Sequence, residues 1–443
     1  LPPLATIASR IEAKSTTTGT PVKSCKITRL GLKGTSEIVG KFGNASSISA
    51  VGTGSSFMQM ATFIITSLAM GSTVIIGHHI GEQKPKEAGN AVGTTIILFL
   101  IIAVIMTFVL EFAAGGIAHL LQAPAESFDK TILYIRICSA GIVIIIAYNV
   151  ISGVLRGVGN ANLPLLFVGI ACVINILGDL LLVGVFHMDV AGAAIATVFA
   201  QFVSVVCSVV VLRKQDMPIE FSREQCRIYK EELGKILNVG VPIALQETTV
   251  QISFLVVNSV INQMGLMPSA GYGIAQKIVS FIMLVPSSIM QSVSAFVAQN
   301  IGAGKKSRAW KGFYTAIITG CSVGIIIFMV GFFGGGVLSS FFTNDSEVIA
   351  QSAAYLKGFS ADCILTCVLF SSIGYFNGCG KSIPVMIQGI TSAFCIRIPV
   401  SIIMSRLPET SLTYVGMATP ITTVYGIIFF VICFRLLNKN SAK

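Results

Sequence analysis

Residues 47–88, SISAVGTGSSFMQMATFIITSLAMGSTVIIGHHIGEQKPKEA, have a counterpart at 268–309, PSAGYGIAQKIVSFIMLVPSSIMQSVSAFVAQNIGAGKKSRA. Each is a long apolar run that ends in Ile-Gly and a lysine-bearing loop. Aligning Ile80-Gly81 with Ile301-Gly302 gives an offset of 221 residues (301 − 80). Gly157-x-Gly159 meets Gly378-x-Gly380 at the same offset, 221 (378 − 157), and a proline follows each pair, Pro164 and Pro384. Two matches at one offset argue for an internal duplication. An even number of spans separates equivalent loops, so the repeats run parallel.

The rest of the chain fits a bilayer. Of 443 residues 53% are hydrophobic and only 11% charged, where soluble domains carry roughly 25% charged residues. The mean hydropathy is +0.83. Such a chain cannot cover its surface with polar groups, which excludes a water-soluble globule, a disordered chain and a collagen-like fibre. At roughly 20 apolar residues per helical span, the apolar fraction supplies about eleven or twelve spans. The runs are continuous rather than alternating, which argues against a β-barrel. Most of the 11 cysteines sit inside apolar runs (Cys138, Cys172, Cys207, Cys321, Cys367), as small buried hydrophobes do. Neither a disulfide framework nor zinc spacing is seen. No long apolar stretch follows the first basic residues, so a cleavable signal peptide is not expected.

Eleven apolar segments are expected, at about 49–77, 90–112, 131–155, 164–186, 190–212, 236–264, 270–300, 313–338, 352–376, 383–404 and 413–437. Their loops sort by charge. One set holds Lys84 and Lys86; Arg156; Arg213, Lys214, Arg223, Arg227 and Lys230; Lys305, Lys306, Arg308 and Lys311; Lys381; and the tail Arg435, Lys439 and Lys443. The alternate set holds Glu126, Asp129 and Lys130; His187 and Asp189; Asp345 and Glu347; and Arg406 with Glu409. The positive-inside rule puts the basic set, the linker and the C-terminus in the cytoplasm. This accounts for the net charge of +11 without nucleic acid.

The expected fold class is an all-α polytopic membrane protein of two similar six-helix lobes. The division is 1–48 as N-terminal region with a degenerate first span, 49–212 as the remaining N-lobe helices, 213–235 as a cytoplasmic linker, 236–437 as C-lobe helices and 438–443 as a tail. The first span is degenerate because Lys23, Lys26, Arg29, Lys33, Glu37 and Lys41 interrupt it, each costing about 2–3 kcal/mol near a helix centre.

Ionisable residues inside spans are expensive and mark function by default. Asp179 follows Asn175 by four residues in CVINILGDLLLVGVF, which puts both on one helix face. A carboxylate with an amide carbonyl offers Na⁺ oxygen ligands; the carboxyl alone offers a proton site. Thr197 on the next span adds a hydroxyl. The bland alternative is a helix-packing pair. In the second half, Glu247 with Gln246 and Gln251, Lys277, and Asp362 lie on three spans. Three buried charges on separate spans are tolerable where they converge in a polar cavity. The alternative is a structural ion cluster with Lys277 snorkelling to the interface. Arg397 reads as an interfacial anchor. His78 and His79 are adjacent on a helix and point about 100° apart, which argues against a joint metal site. Cys363 and Cys367 read as inert buried thiols. Gly157-x-Gly159 is too little for a phosphate loop, and without a Walker motif ATP is not the expected driving force.

Five stretches in order, STVIIGHHIGEQKPKEAG, RGVGNANLPLL, NILGDLLLVGVFHMDVAGAAIATVFAQF, SAFVAQNIGAGKKSRAWKGF and YFNGCGKSIPVMIQG, together resemble the multidrug and toxic compound extrusion (MATE) family over about residues 35–437. The resemblance implies two six-helix lobes around a V-shaped cavity that opens to either side. It further implies export of cationic amphipathic compounds in exchange for Na⁺ or H⁺. The family's first-lobe cation site uses an Asp on the first span, an Asn and an Asp on the fifth and a Thr on the sixth. Asn175, Asp179 and Thr197 match the last three. The place of the first-span Asp falls on or near Thr35, and Glu37 lies close but out of phase. Glu247 and Asp362 fall on spans where many members carry an acid.

The expected function is therefore a cation-coupled antiporter of the cytoplasmic membrane. It would be surrounded by lipid, carry small organic cations, work as a monomer, and need no cofactor beyond the transported Na⁺ or H⁺. Three rivals stand beside it. A flippase for lipid-linked saccharides would want a more basic cavity than Lys277 and Arg397 provide. A non-transporting remnant would explain the damaged first span. An intramembrane enzyme would need a catalytic constellation, and none is found.

Overall fold

A computed structural model describes residues 39, 44–214, 217–407 and 411–441. All regular structure among them is helical. The first half contains α1 (Ala45–Gly81), α2 (Pro85–Leu120), α3 (Phe128–Ala140), α4 (Ile142–Val158), α5 (Asn162–Asp179) and α6 (Asp189–Leu212). The second contains α7 (Lys230–Asn262), α8 (Leu266–Ile282), α9 (Leu284–Gly302), α10 (Lys306–Ser340), α11 (Ser346–Phe359), α12 (Asp362–Gly378), α13 (Ser382–Thr391), α14 (Ile398–Ser405) and α15 (Leu412–Ser441). Among the described residues nine helices, or up to 11 when each of two bent pairs forms one span, are long and apolar enough to cross a membrane. They coincide with the eleven apolar segments. The degenerate first span, with Thr35 and Glu37, lies outside the described residues.

Local chemistry sets the breaks. Pro85 opens α2, where its missing N–H costs nothing. Asp345 caps α11 by accepting hydrogen bonds from the amides of Glu347 and Val348. Gly159 ends α4 at φ +96° and Gly380 follows α12 at φ +71°, left-handed positions that suit glycine. These two are repeat partners. So are Gln83 (φ +59°) and Gly304 (φ +70°), and Gln83 pays the strain that Gly304 avoids. The α3–α4 pair bends by 52° and the α11–α12 pair by 48°. The first bend lies at Gly141, where a Cβ would sit 2.4 Å from the Val198 side chain of α6.

The halves meet at the end carrying the Lys84 and Lys305 loops. There α1 packs on α7 and α9. A Cβ on Gly71 would lie 2.4 Å from the Ile236 carbonyl oxygen, and one on Gly240 would lie 2.5 Å from that of Leu68. Between membrane helices packing replaces the hydrophobic effect, and small residues permit it. The stretch between the halves is docked rather than solvated throughout. Glu220 donates its amide to the Pro85 carbonyl at 3.2 Å, and Tyr229 donates its amide to Thr94 Oγ1 at 3.1 Å. Helix α7 begins at Lys230, several residues before the apolar run that marks it in the sequence.

Candidate functional site

Asp179 is the last residue of α5 and is fully buried. A π-helical turn, Leu180–Val185, follows directly. Such turns interrupt the regular ladder and cluster at functional sites. One turn earlier, Asn175 donates from Nδ2 to Thr197 Oγ1 at 3.3 Å, and Thr197 donates to the Ala193 carbonyl at 2.9 Å. The structure therefore joins Asn175 and Thr197 directly and keeps Asp179 on the same helix face.

Tyr134 of α3 completes this pocket and was not singled out in the sequence. Its hydroxyl reaches Thr197, and it lies in the electrostatic neighbourhood of Asp179. Its ring covers Gly54 of α1, where a Cβ would sit 2.6 Å from the ring. The repeat itself was the missed signal: the same offset applied to Tyr134 lands on Tyr355 (355 − 134 = 221), which stands in the second half's polar cluster.

That cluster centres on Asp362, the buried first residue of α12. Thr366 donates to its Oδ2 at 2.6 Å. Tyr355 meets Tyr272 edge to face, centroids 5.0 Å apart, and Gln276 donates to the Tyr272 hydroxyl. Glu247 is half-buried on α7 and accepts from Gln251 Nε2 at 2.8 Å. Gln246 turns instead to α13 and packs on Gly389.

The cation of the cluster is Arg397, not Lys277. Lys277 is exposed, whereas Arg397 closes the π-helical turn Ser392–Arg397. Its Nη1 donates to Ser253 Oγ at 2.9 Å and its guanidinium lies 4.5 Å from the Phe254 ring centroid. Asp362, Tyr355, Tyr272 and Glu247 all lie within its electrostatic reach. The expected Glu247–Lys277–Asp362 network is corrected in one member: Lys277 faces outward, and Arg397, read from the sequence as an anchor, lies in the electrostatic neighbourhood of the two acids. One helix position explains the error: Tyr272 and Gln276, four apart, face the cluster, and Lys277 sits about 100° further round.

His78 and His79 do diverge. His78 Nε2 lies 2.8 Å from the Gly378 carbonyl oxygen, and His79 Nε2 lies 2.9 Å from Glu232 Oε2. In the loop beyond, burial works to raise the Glu82 carboxyl, but the hydrogen bond and charge of Lys84, with His79, hold it below the usual range. Cys367 donates its thiol to the Cys363 carbonyl, as a packed side chain does.

Comparison with known proteins follows the fold. The family model described as MatE matches residues 35–181 and 242–403. The "Probable multidrug resistance protein YoeA" of Bacillus subtilis is 26% identical over 422 residues, covering 89% of this chain and 88% of its own. "Multidrug export protein MepA" of Staphylococcus saprophyticus is 25% identical, covering 83% and 81%. A solved structure titled "Outward-facing conformation of a multidrug resistance MATE family transporter of the MOP superfamily" superposes with a TM-score of 0.85 at 21% identity, covering 91% of each chain.

Proposed function

Because the chain belongs to the MatE family, a family of secondary transporters rather than enzymes, we propose that it is an antiporter coupling the entry of Na⁺ or H⁺ to the export of small organic cations. The relatives named for multidrug export and resistance support this substrate class. The observation that carries the coupling is the fully buried Asp179, one turn from Asn175, which bonds Thr197, and in the electrostatic neighbourhood of Tyr134.

A carboxylate so buried is tolerable only with its charge answered. An entering Na⁺ would take oxygens from Asp179, the Asn175 amide and the Thr197 hydroxyl; an entering proton would neutralise the carboxyl. Either event removes the cost of closing the site away from water. In the second half Asp362 shares its cluster with Arg397, whose guanidinium also holds Ser253. We assign cation loading to Asp179 and a supporting role in closure to the Glu247–Arg397–Asp362 cluster. The end carrying the Lys84 and Lys305 loops would face the cytoplasm, and one chain would suffice.

The test is efflux of a fluorescent organic cation from proteoliposomes under an imposed Na⁺ gradient, then an imposed pH gradient. Asp179→Asn should abolish gradient-driven efflux while the protein remains monodisperse. Undiminished efflux in Asp179→Asn under both gradients would refute the assignment. Efflux driven by neither gradient in the parent protein would refute the antiport reading, and stimulation by a lipid-linked saccharide instead would favour a flippase.

A further inference from the structure

The turn that joins α1 to α2 holds a group of side chains that the transport reading does not use. His79 ends α1 with only 6% of its side chain exposed. Its Nε2 is 2.9 Å from Glu232 Oε2, at the start of α7 in the other half. A carboxylate only accepts, so this nitrogen carries the hydrogen. In the neutral ring the lone pair is then on Nδ1. That atom is buried and has no hydrogen-bond partner. It faces two further acceptors, Glu87 Oε2 at 3.3 Å and Glu82 Oε2 at 3.6 Å.

A cation among these atoms, either a proton on Nδ1 or a metal ion, answers the two carboxylates that face the ring. Lys84 partly answers the carboxylates, with Nζ 3.0 Å from Glu82 Oε2 and 3.4 Å from Glu87 Oε2, but half of its side chain is exposed. The spacing suits a smaller ion. Two ligand atoms about 2.0 Å from a tetrahedral zinc ion stand about 3.3 Å apart. The three donor atoms lie within 4.8 Å of one another, so small rotations of two half-exposed glutamates would close the set.

We propose that His79, Glu82 and Glu87 bind a divalent transition-metal ion of the Zn²⁺ class, with Glu232 of the opposite half orienting the imidazole. Imidazole nitrogen and carboxylate oxygen are both ligand types that zinc takes, and three of them leave a fourth position open. The carboxylate on the far ring nitrogen is the usual partner that fixes such a histidine. Lys84 is a built-in competitor that leaves when the metal arrives. Because His79 belongs to the first half and Glu232 to the second, an occupied site braces the end where the halves meet. Metal there would hold this end shut and slow the transport cycle.

The experiment uses the full chain without a histidine tag, purified in detergent, stripped with a chelator and titrated with Zn²⁺ by calorimetry and with Co²⁺ by visible absorption. The parent protein should bind one equivalent, with Co²⁺ bands of a low-coordinate site. Glu87→Gln should weaken binding at least tenfold, and Glu232→Gln by tenfold to a hundredfold, as loss of an orienting partner does. Lys84→Ala should bind more tightly than the parent. No saturable binding in the parent and in Lys84→Ala would show a protonated histidine in an ion-pair cluster and overturn the proposal. Equal affinity in the parent and Glu87→Gln would overturn it as well. Should Glu87→Gln lose monodispersity, Lys84→Ala decides alone: tighter binding supports the site, and unchanged or weaker binding sinks it.

Discussion

His78 Nε2 donates to the carbonyl oxygen of Gly378 at 2.8 Å, across 300 residues of chain, and joins the two halves. The contact has a twin. Gln299 takes the place of His78 in the second repeat, and its Nε2 donates to the carbonyl oxygen of Gly157, the repeat partner of Gly378, at 2.9 Å. Each half thus offers a side chain from one helix to the end of a helix in the other. A transporter that alternates must break both bonds together to open this end.

Removing one such neutral hydrogen bond costs about 1 kcal/mol. The pair His78→Ala/Gln299→Ala should therefore shift the balance between closed and open by about 2 kcal/mol, roughly 30-fold. Spin labels at Lys86 and Ser307, both exposed in the first turns of α2 and α10, report the outcome by double electron–electron resonance. The double variant should show a longer distance population that the parent lacks. An unchanged distribution would mean that these bonds do not hold the end closed.

Backbone contact makes a second, steric demand at the same place. A Cβ on Gly81 would lie 2.1 Å from the Gln299 carbonyl oxygen, and one on Gly302 would lie 2.2 Å from that of His78. Backbone cannot step aside as a flexible side chain can. Overpacking of this kind costs about 1–3 kcal/mol or more, so Gly81→Ala and Gly302→Ala should each force this end apart. Gly52→Ala is the control, since a Cβ there meets nothing within 4 Å. Accessibility of an introduced cysteine at Ser307 to a polar maleimide measures it: faster labelling in the two interface variants, unchanged in the control.

The spans were legible because a bilayer imposes a length of apolar chain that few other structures need. The duplication was legible because paired loop glycines such as Gly159 and Gly380 hold left-handed backbone, and that demand leaves a mark in the residue type. Side-chain facing was less legible. Lys277 and Arg397 both interrupt apolar runs, and composition alone cannot tell which faces the protein. The π-helical turn Ser392–Arg397 shifts the helix phase just where Arg397 is placed, so regular 3.6-residue counting misses it. Tyr134 was hidden for another reason: a tyrosine in an apolar run reads as packing until the contact of its hydroxyl with Thr197 is seen.

Exchange of the predicted cation has a measurable consequence. Arg397 lies in the electrostatic neighbourhood of Asp362 and Glu247, and its Nη1 donates to Ser253. Losing a hydrogen bond made by a charged group costs about 1.5–3 kcal/mol. Arg397→Gln should lower the thermal unfolding midpoint in detergent and reduce efflux strongly. Lys277→Gln, at an exposed position, should leave the unfolding midpoint unchanged. Adding Asp362→Asn to Arg397→Gln should restore part of the stability, because it removes the charge left behind. Equal loss in Arg397→Gln and Lys277→Gln would return the triad to its original form.

Tyr134 offers a test of the first-half pocket that leaves its packing in place. The ring fills the space over Gly54, while the hydroxyl reaches Thr197 near Asp179. Tyr134→Phe keeps the ring and deletes only the hydroxyl. It should preserve the unfolding midpoint within about 1 kcal/mol of stability and raise the coupling-ion concentration needed for half-maximal efflux about tenfold. Gly54→Ala should displace the ring, since its Cβ would stand 2.6 Å from Tyr134 Cδ1, and so reduce both ion dependence and stability. A hydroxyl that only packs would instead give Tyr134→Phe the parent's ion dependence, and the pocket would lose its claim to bind the ion.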